Sequence, residues 1–246
     1  LALVVLREGL ALLLVERLAV DGHATSQAID VVARRVALFD IDALATRHGL
    51  LSRIARAEGA RPDPLLLEHV VETVAMAVEA ERFDLADAGA DLALTLAKAI
   101  DKDEKVRTAE SRRKKEPPPT PVAARLLADA TQLQKSVRER RRLAFEYKAA
   151  RDTLLTSPDD AEAAEVAGRY LCFVKGDWIS GLVQLAKGRH ERLRNLSARE
   201  IAQRKDSATA ATDRLKLANE WWKLADDADA FTVVQAESLR AHAGGI

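Results

Sequence analysis

The stretch YLCFVKGDW, Tyr170 to Trp178, decides how this chain is read. It gathers three aromatic residues and the single cysteine of a 246-residue chain in which aromatics make up only 4%. Two explanations compete for it: a reactive or ligand-binding site, and a turn between two helices whose bulky side chains seal the pair. Lys175 and Gly176 read as a helix end, because glycine accepts the left-handed backbone that commonly follows a last helical turn. Asp177 and Trp178 then open a partner helix, WISGLVQLAKG, closed by Gly188. Gly168 before the turn and Gly181 after it stand where a missing Cβ lets two helices cross closely. Cys172 lies inside the first helix between Leu171 and Phe173. Cysteine is among the most buried residue types, and one nearby lysine, Lys175, is a weak case for an activated thiolate. The stretch is therefore read as a helical hairpin, with Gly168, Gly176, Trp178 and Gly181 as structural positions.

Outward from the hairpin, the chain reads as helix nearly everywhere. Alanine and leucine dominate, and apolar residues recur at three- and four-residue steps. A first helix is expected over residues 4–20, broken by Gly22. A second covers 24–38 with Ile29, Val32 and Val36 on one stripe. A third covers 42–58, with Leu44, His48, Leu51 and Ile54 in register, and Gly59 closes it. Asp63 followed by Pro64 is a strong helix start: a carboxylate cap, then a proline at the first helical position. A fifth helix begins FDLADAGADLALTLAKAI. In it Phe83, Ala86 and Ala93 carry the aromatic and small positions of the second half of a tetratricopeptide repeat. Connections this short favour antiparallel neighbours. The predicted fold is all-α, with antiparallel helix pairs stacked as a tetratricopeptide-like array.

The character changes after Ile100. Residues 102–115 hold seven basic and three acidic residues, and a run of three prolines follows at 117–119. Prolines end a helix and stiffen a linker. The expected organisation is an N-terminal helical subdomain over 1–112, a joint over 113–120, and a C-terminal helical subdomain over 121–246. The latter opens with the longest helix, 121–155. Ser157 is expected to cap the next helix, with Pro158 at its start and Asp159 and Asp160 as carboxylates over its open amides, and its body is read over Ala161–Lys175. Residues 190–205 read as a short helical link. ATDRLKLANEWWKLADD is a strong helix that places Trp221 and Trp222 on adjacent faces. One more helix begins at 231–242 and reads as truncated. Residue 1 is not methionine and sits inside an apolar run, so the chain is expected to be a piece of a longer one.

Two segments, SPDDAEAAEVAGRYLCFVKGDWISGLVQLAKG (157–188) and LKLANEWWKLA (215–225), carry a family resemblance. They resemble a helical region that recurs in large planctomycete-type multidomain proteins. The first half of the chain shares only the DIDAL (40–44) and FDLA (83–86) elements. Family members usually carry Gly-Asp-x-Trp-Trp before the last Leu-Ala, whereas Asn219 and Glu220 stand here. The resemblance implies an array similar to tetratricopeptide or Sel1-like repeats, placed beside domains such as protein kinases, β-propellers or lectin-like modules. It carries over no catalytic residues.

Composition narrows the function classes. Thirty-eight basic residues balance thirty-eight acidic ones, so no global field steers the chain toward nucleic acid or a membrane. One cysteine excludes an intrachain disulfide framework. The apolar N-terminal run is interrupted by Arg7, Glu8, Glu16 and Arg17, far short of the roughly 20 residues a bilayer crossing needs. No phosphate-cradling loop, zinc-protease motif or nucleophile elbow is present. The histidines at 23, 48, 69, 190 and 242 are scattered, and each reads as satisfied or exposed rather than as a metal ligand. No cofactor and no metal is expected, and the compartment is left open with the cytoplasm as the favoured reading. The leading expectation is a non-catalytic module that scaffolds neighbouring domains or binds a protein, with Trp221 and Trp222 as candidate partner surface. One alternative is an accessory domain of an enzyme, for example a kinase, whose active site lies elsewhere on the polypeptide. Another is weak binding of nucleic acid or an anionic surface through residues 102–115 and 135–151.

Overall fold

The computed structural model describes residues 11–14, 16–17, 25–57, 63–117, 120–206, 210–227 and 230–246, without the side chains of 233 and 234. Most of the expected first helix, the break at Gly22 and the stop at Gly59 lie outside the described residues. Within them the regular structure is entirely α-helical. We number the helices α1 (Thr25–Phe39), α2 (Ala43–Arg56), α3 (Pro64–Glu79), α4 (Phe83–Lys114), α5 (Ala123–Thr156), α6 (Ala161–Phe173), α7 (Trp178–Leu185), α8 (Glu191–Lys205), α9 (Ala211–Leu224) and α10 (Val233–Ala243).

Local chemistry sets most of the helix starts. Asp42 accepts from the Ala45 amide at 3.0 Å, and Asp63 accepts from Leu65 at 2.9 Å with Pro64 next, as the sequence predicts. Thr232 and Gln235 form a reciprocal capping box on α10. The start of α6 differs from expectation. Asp160, not Ser157, is the cap, and its carboxylate takes the amides of Glu162 and Ala163 at 3.0 and 2.9 Å. Ser157 and Pro158 instead sit in the turn before it, where a proline is equally at home. Residues 191–205 form a full helix of 15 residues rather than a short link, with Leu193 and Leu196 buried.

The chain forms two compact units, Leu1–Glu139 and Arg140–Ile246. In the first, consecutive helices pack in order, α1 on α2, α2 on α3 and α3 on α4, and α2 also touches α4. Ala86, Ala90, Ala93 and Ala97 are fully buried along one face of α4. Gly89 shares that face, and a Cβ there would lie 2.6 Å from Val74 Cγ2. The small residues thus let α3 and α4 approach closely, while Phe83 is half-buried.

The division at 139 falls inside α5, not at the proline-rich segment where composition shifts. The physical reason is in the core: Ala123 and Ala130 join Leu50, Leu51 and Ile54, and Val137 joins Val74 and Ala86. Helix α4 also outruns the apolar pattern that ends at Ile100. Its outer part is held by ion pairs one turn apart, Lys105 to Asp101 at 2.6 Å and Arg107 to Asp103 at 2.8 Å. Glu104 on that outer part accepts from the amides of Val122 and Ala123, at 3.0 and 3.1 Å. It caps the N-terminus of α5 from eighteen residues upstream.

In the second unit α6, α7, α8, α9 and α10 pack in succession, and α10 returns to touch α6. That return contact closes the five helices on themselves, whereas an open repeat array touches only neighbouring repeats. The opening stretch forms the α6–α7 turn. Gly176 has φ +69, and the Asp177 carboxylate takes the Ser180 amide at 3.0 Å. Gly168 and Gly181 make the close crossing. A Cβ on Gly168 would lie 2.7 Å from the Leu185 backbone nitrogen, and one on Gly181 would lie 2.3 Å from Cys172 Sγ. Real Cβ atoms do not approach backbone that closely, so Gly168→Ala must push the two helices apart. We expect it to lower unfolding free energy by about 1–3 kcal/mol through overpacking. Urea denaturation followed by circular dichroism measures this, and an unchanged midpoint would refute the close crossing.

Candidate functional site

The helical periodicity of α8 places Leu193, Leu196 and Glu200 on its inward face, so a carboxylate occupies a core position. Glu200 is 2% exposed. A buried charge is tolerable only with full hydrogen bonding. Glu200 has it. One oxygen accepts from Trp221 Nε1 at 2.8 Å and pairs with His242 Nε2 at 2.9 Å. The other accepts from Arg204 Nε and Nη2, at 3.0 and 2.7 Å. Burial pushes this carboxyl up, but the hydrogen bonds and charges of His242 and Arg204 outweigh it and hold it below its ordinary value.

Aromatic rings surround the carboxylate. The Trp178 indole stacks on the His242 ring, with centroids 3.5 Å apart and planes 3° apart. Trp221 meets both edge-on, at 5.8 Å from Trp178 and 5.6 Å from His242. Phe173 meets Trp178 and Phe231 edge-on at 5.7 and 6.1 Å. The hairpin turn thus delivers Trp178 into the same cluster that ties α8, α9 and α10 together. Above it lies a cleft of about 770 Å³, lined among others by Trp178, Arg204, Arg214, Leu217, Ser238 and His242. This volume is in the range that holds small organic ligands.

The chain matches no protein-family model, no curated protein and no solved structure. The site therefore has to be understood from its own chemistry. A carboxylate orienting a histidine is half of a nucleophilic arrangement. Ser238 lines the same cleft one helical turn before His242, but no hydrogen bond joins the two. Cys172 is fully buried against Gly181. Burial pushes its thiol up, and the charges of Glu200 and Asp177 add to that. A thiol held protonated in this way is not a nucleophile.

The residues expected to form a partner surface part company. Trp221 is fully buried, whereas Trp222 is 49% exposed. The buried stripe of α9 is Leu217, Trp221 and Leu224. The opposite side carries Trp222 and, two turns earlier, Leu215, also exposed. Other histidines serve locally. His190 caps α8, accepting from the Leu193 amide at 3.2 Å, and His69 lies 3.6 Å from Glu72. No group of three or more acidic, histidine or cysteine side chains among the described residues is placed to hold a metal ion. No described helix is long and apolar enough to cross a membrane.

Each basic run holds some of its cations in ion pairs. Beyond the pairs on α4, Arg138 reaches Asp91 at 3.2 Å and Arg142 reaches Glu146 at 2.6 Å. Glu200 escaped the sequence reading because nothing distinguishes it among so many carboxylates. Its register with Leu193 and Leu196 was the available signal, followed by Arg204 one turn later.

Proposed function

We propose that this chain is a non-catalytic helical module that serves as a scaffold or protein-interaction region within a larger protein. It belongs, in this reading, with the helical regions of large multidomain proteins that its second half resembles, and its hairpins α3–α4 and α6–α7 act as tetratricopeptide-like pairs. The observation that carries the proposal is the two-sided character of α9. Its inner stripe is buried, while Trp222 and Leu215 hold a second apolar stripe in solvent. Tryptophan is enriched among residues that dominate binding energy at interfaces. A partner protein or a neighbouring domain of the same polypeptide would cover this stripe.

The test uses the longest available polypeptide containing this chain, with a photo-crosslinking amino acid at position 222. The expected result is a crosslink to a defined partner or domain that Leu215→Ala weakens at least about tenfold. The same substitution should leave the folded stability nearly unchanged, because Leu215 is exposed. Equal crosslinking from an exposed position outside α9, such as Lys187, would sink the proposal.

A further inference from the structure

We propose that the cleft above Glu200 is a binding site for a small organic monocarboxylate with a flat apolar body. This goes beyond the partner surface on α9 and involves other residues.

The inference starts from which polar groups of the cleft are already committed. Glu200 would ordinarily draw a cation, but four donors from three side chains saturate its two oxygens. Asp206, the other carboxylate lining the cleft, is also engaged within the protein. Several donors of the lining stand outside these pairings. Arg214 makes no side-chain hydrogen bond or ion pair with the described residues, although it lines the cleft. Ser238 keeps its hydroxyl uncommitted in the same way. Arg204 spends Nε and Nη2 on Glu200 and keeps Nη1.

Charge fixes the ligand class further. Glu200 offsets the Arg204 charge, while Arg214 forms no ion pair with the described residues. A guanidinium outside any such pair can hold one carboxylate. Its planar fork suits a carboxylate, which it can hold through two parallel hydrogen bonds. The walls supply the other half of the recognition. Trp178 offers apolar surface, and stacking on His242 holds the indole in one orientation. A flat hydrocarbon or aromatic body against this wall, with its carboxylate toward Arg214, uses both features. The ordered ring and the saturated ionic floor reduce the cost of organising the site on binding.

The probe is 4-phenylbutyrate, with its neutral amide as the comparison, titrated into the full 246-residue chain. The readout is the set of tryptophan indole N–H resonances, assigned by Trp178→Phe and Trp221→Phe. The expected result is a saturable shift of the Trp178 resonance by the carboxylate at millimolar concentration. Binding should weaken about tenfold or more for the amide and for Arg214→Gln, the loss expected for one charge-assisted hydrogen-bonded pair. Arg214 is exposed, so its variant keeps the fold, and an unchanged urea midpoint checks this. Absence of a saturable shift overturns the proposal. So does equal affinity of acid and amide, or of the wild-type chain and the Arg214 variant.

Discussion

Replacing Trp221 with alanine is expected to lower the unfolding free energy of the second unit by about 3–5 kcal/mol. Trp221 is completely buried and packs edge-on against the stacked pair of Trp178 and His242. Truncation removes a large apolar surface and leaves a cavity that rigid helices cannot collapse to fill. It also removes the indole N–H that Glu200 uses at 2.8 Å. Trp221→Phe separates the two contributions. It keeps much of the bulk and loses only the donor, so a loss of about 1–3 kcal/mol is expected. Denaturation is followed by circular dichroism, since the substitution removes a fluorophore. A loss below about 1 kcal/mol for the alanine variant would show that the ring is not the packing centre of the unit.

Replacing Glu200 with alanine should cost a similar amount, about 3–5 kcal/mol, for a different reason. The variant strands Trp221 Nε1, His242 and Arg204 without their shared acceptor, and Arg204 keeps a charge with no counterion. Because Glu200 and Trp221 belong to one network, the double variant should lose clearly less than the sum of the two single losses. The network also predicts a pH dependence. The folded state holds Glu200 below its ordinary value of about 4.5, so the ionised form is favoured by folding. Its contribution is complete above that unfolded-state value and is lost as pH falls through the lowered folded-state value. Stability of the wild-type chain should fall with acidification below about 4.5. Glu200→Gln, which cannot ionise, should lose that part of the slope. Identical acid limbs for the two proteins would assign the acid sensitivity to other carboxylates.

These predictions show where sequence reasoning reached. The glycines at 168, 176 and 181 were legible because each answers a local or near-local demand: a left-handed turn or a close crossing between helices adjacent in sequence. Asp63 was legible as a cap for the same reason, whereas Asp42, read as the first residue of its helix, turns out to cap it. Asp160 was misplaced because Ser157, Pro158, Asp159 and Asp160 all fit a helix start, and only the backbone path chooses among them. The division inside α5 was illegible. Composition marks the prolines, but whether the next helix packs back on what precedes it depends on where Ala123, Ala130 and Val137 land in space.

The two adjacent tryptophans show the limit most plainly. From the sequence, Trp221 and Trp222 are one hundred degrees apart on a helix, so one is expected inside and the other outside. Which one is inside depends on the register of α9 against α8 and α10, and that is decided by Glu200 and His242, 21 residues before and after Trp221 respectively. By itself the sequence determined what nearest-neighbour physics controls: all-α structure, most helix starts, the α6–α7 hairpin and the buried inert cysteine within it. Only the tertiary structure decided what depends on distant partners. It tied a carboxylate of α8 to an indole of α9 and a histidine of α10, and it set Arg214 in the cleft beside them without an ion pair among the described residues. Periodicity reports which face of a helix is apolar. It carries no information on which faces of separate helices meet.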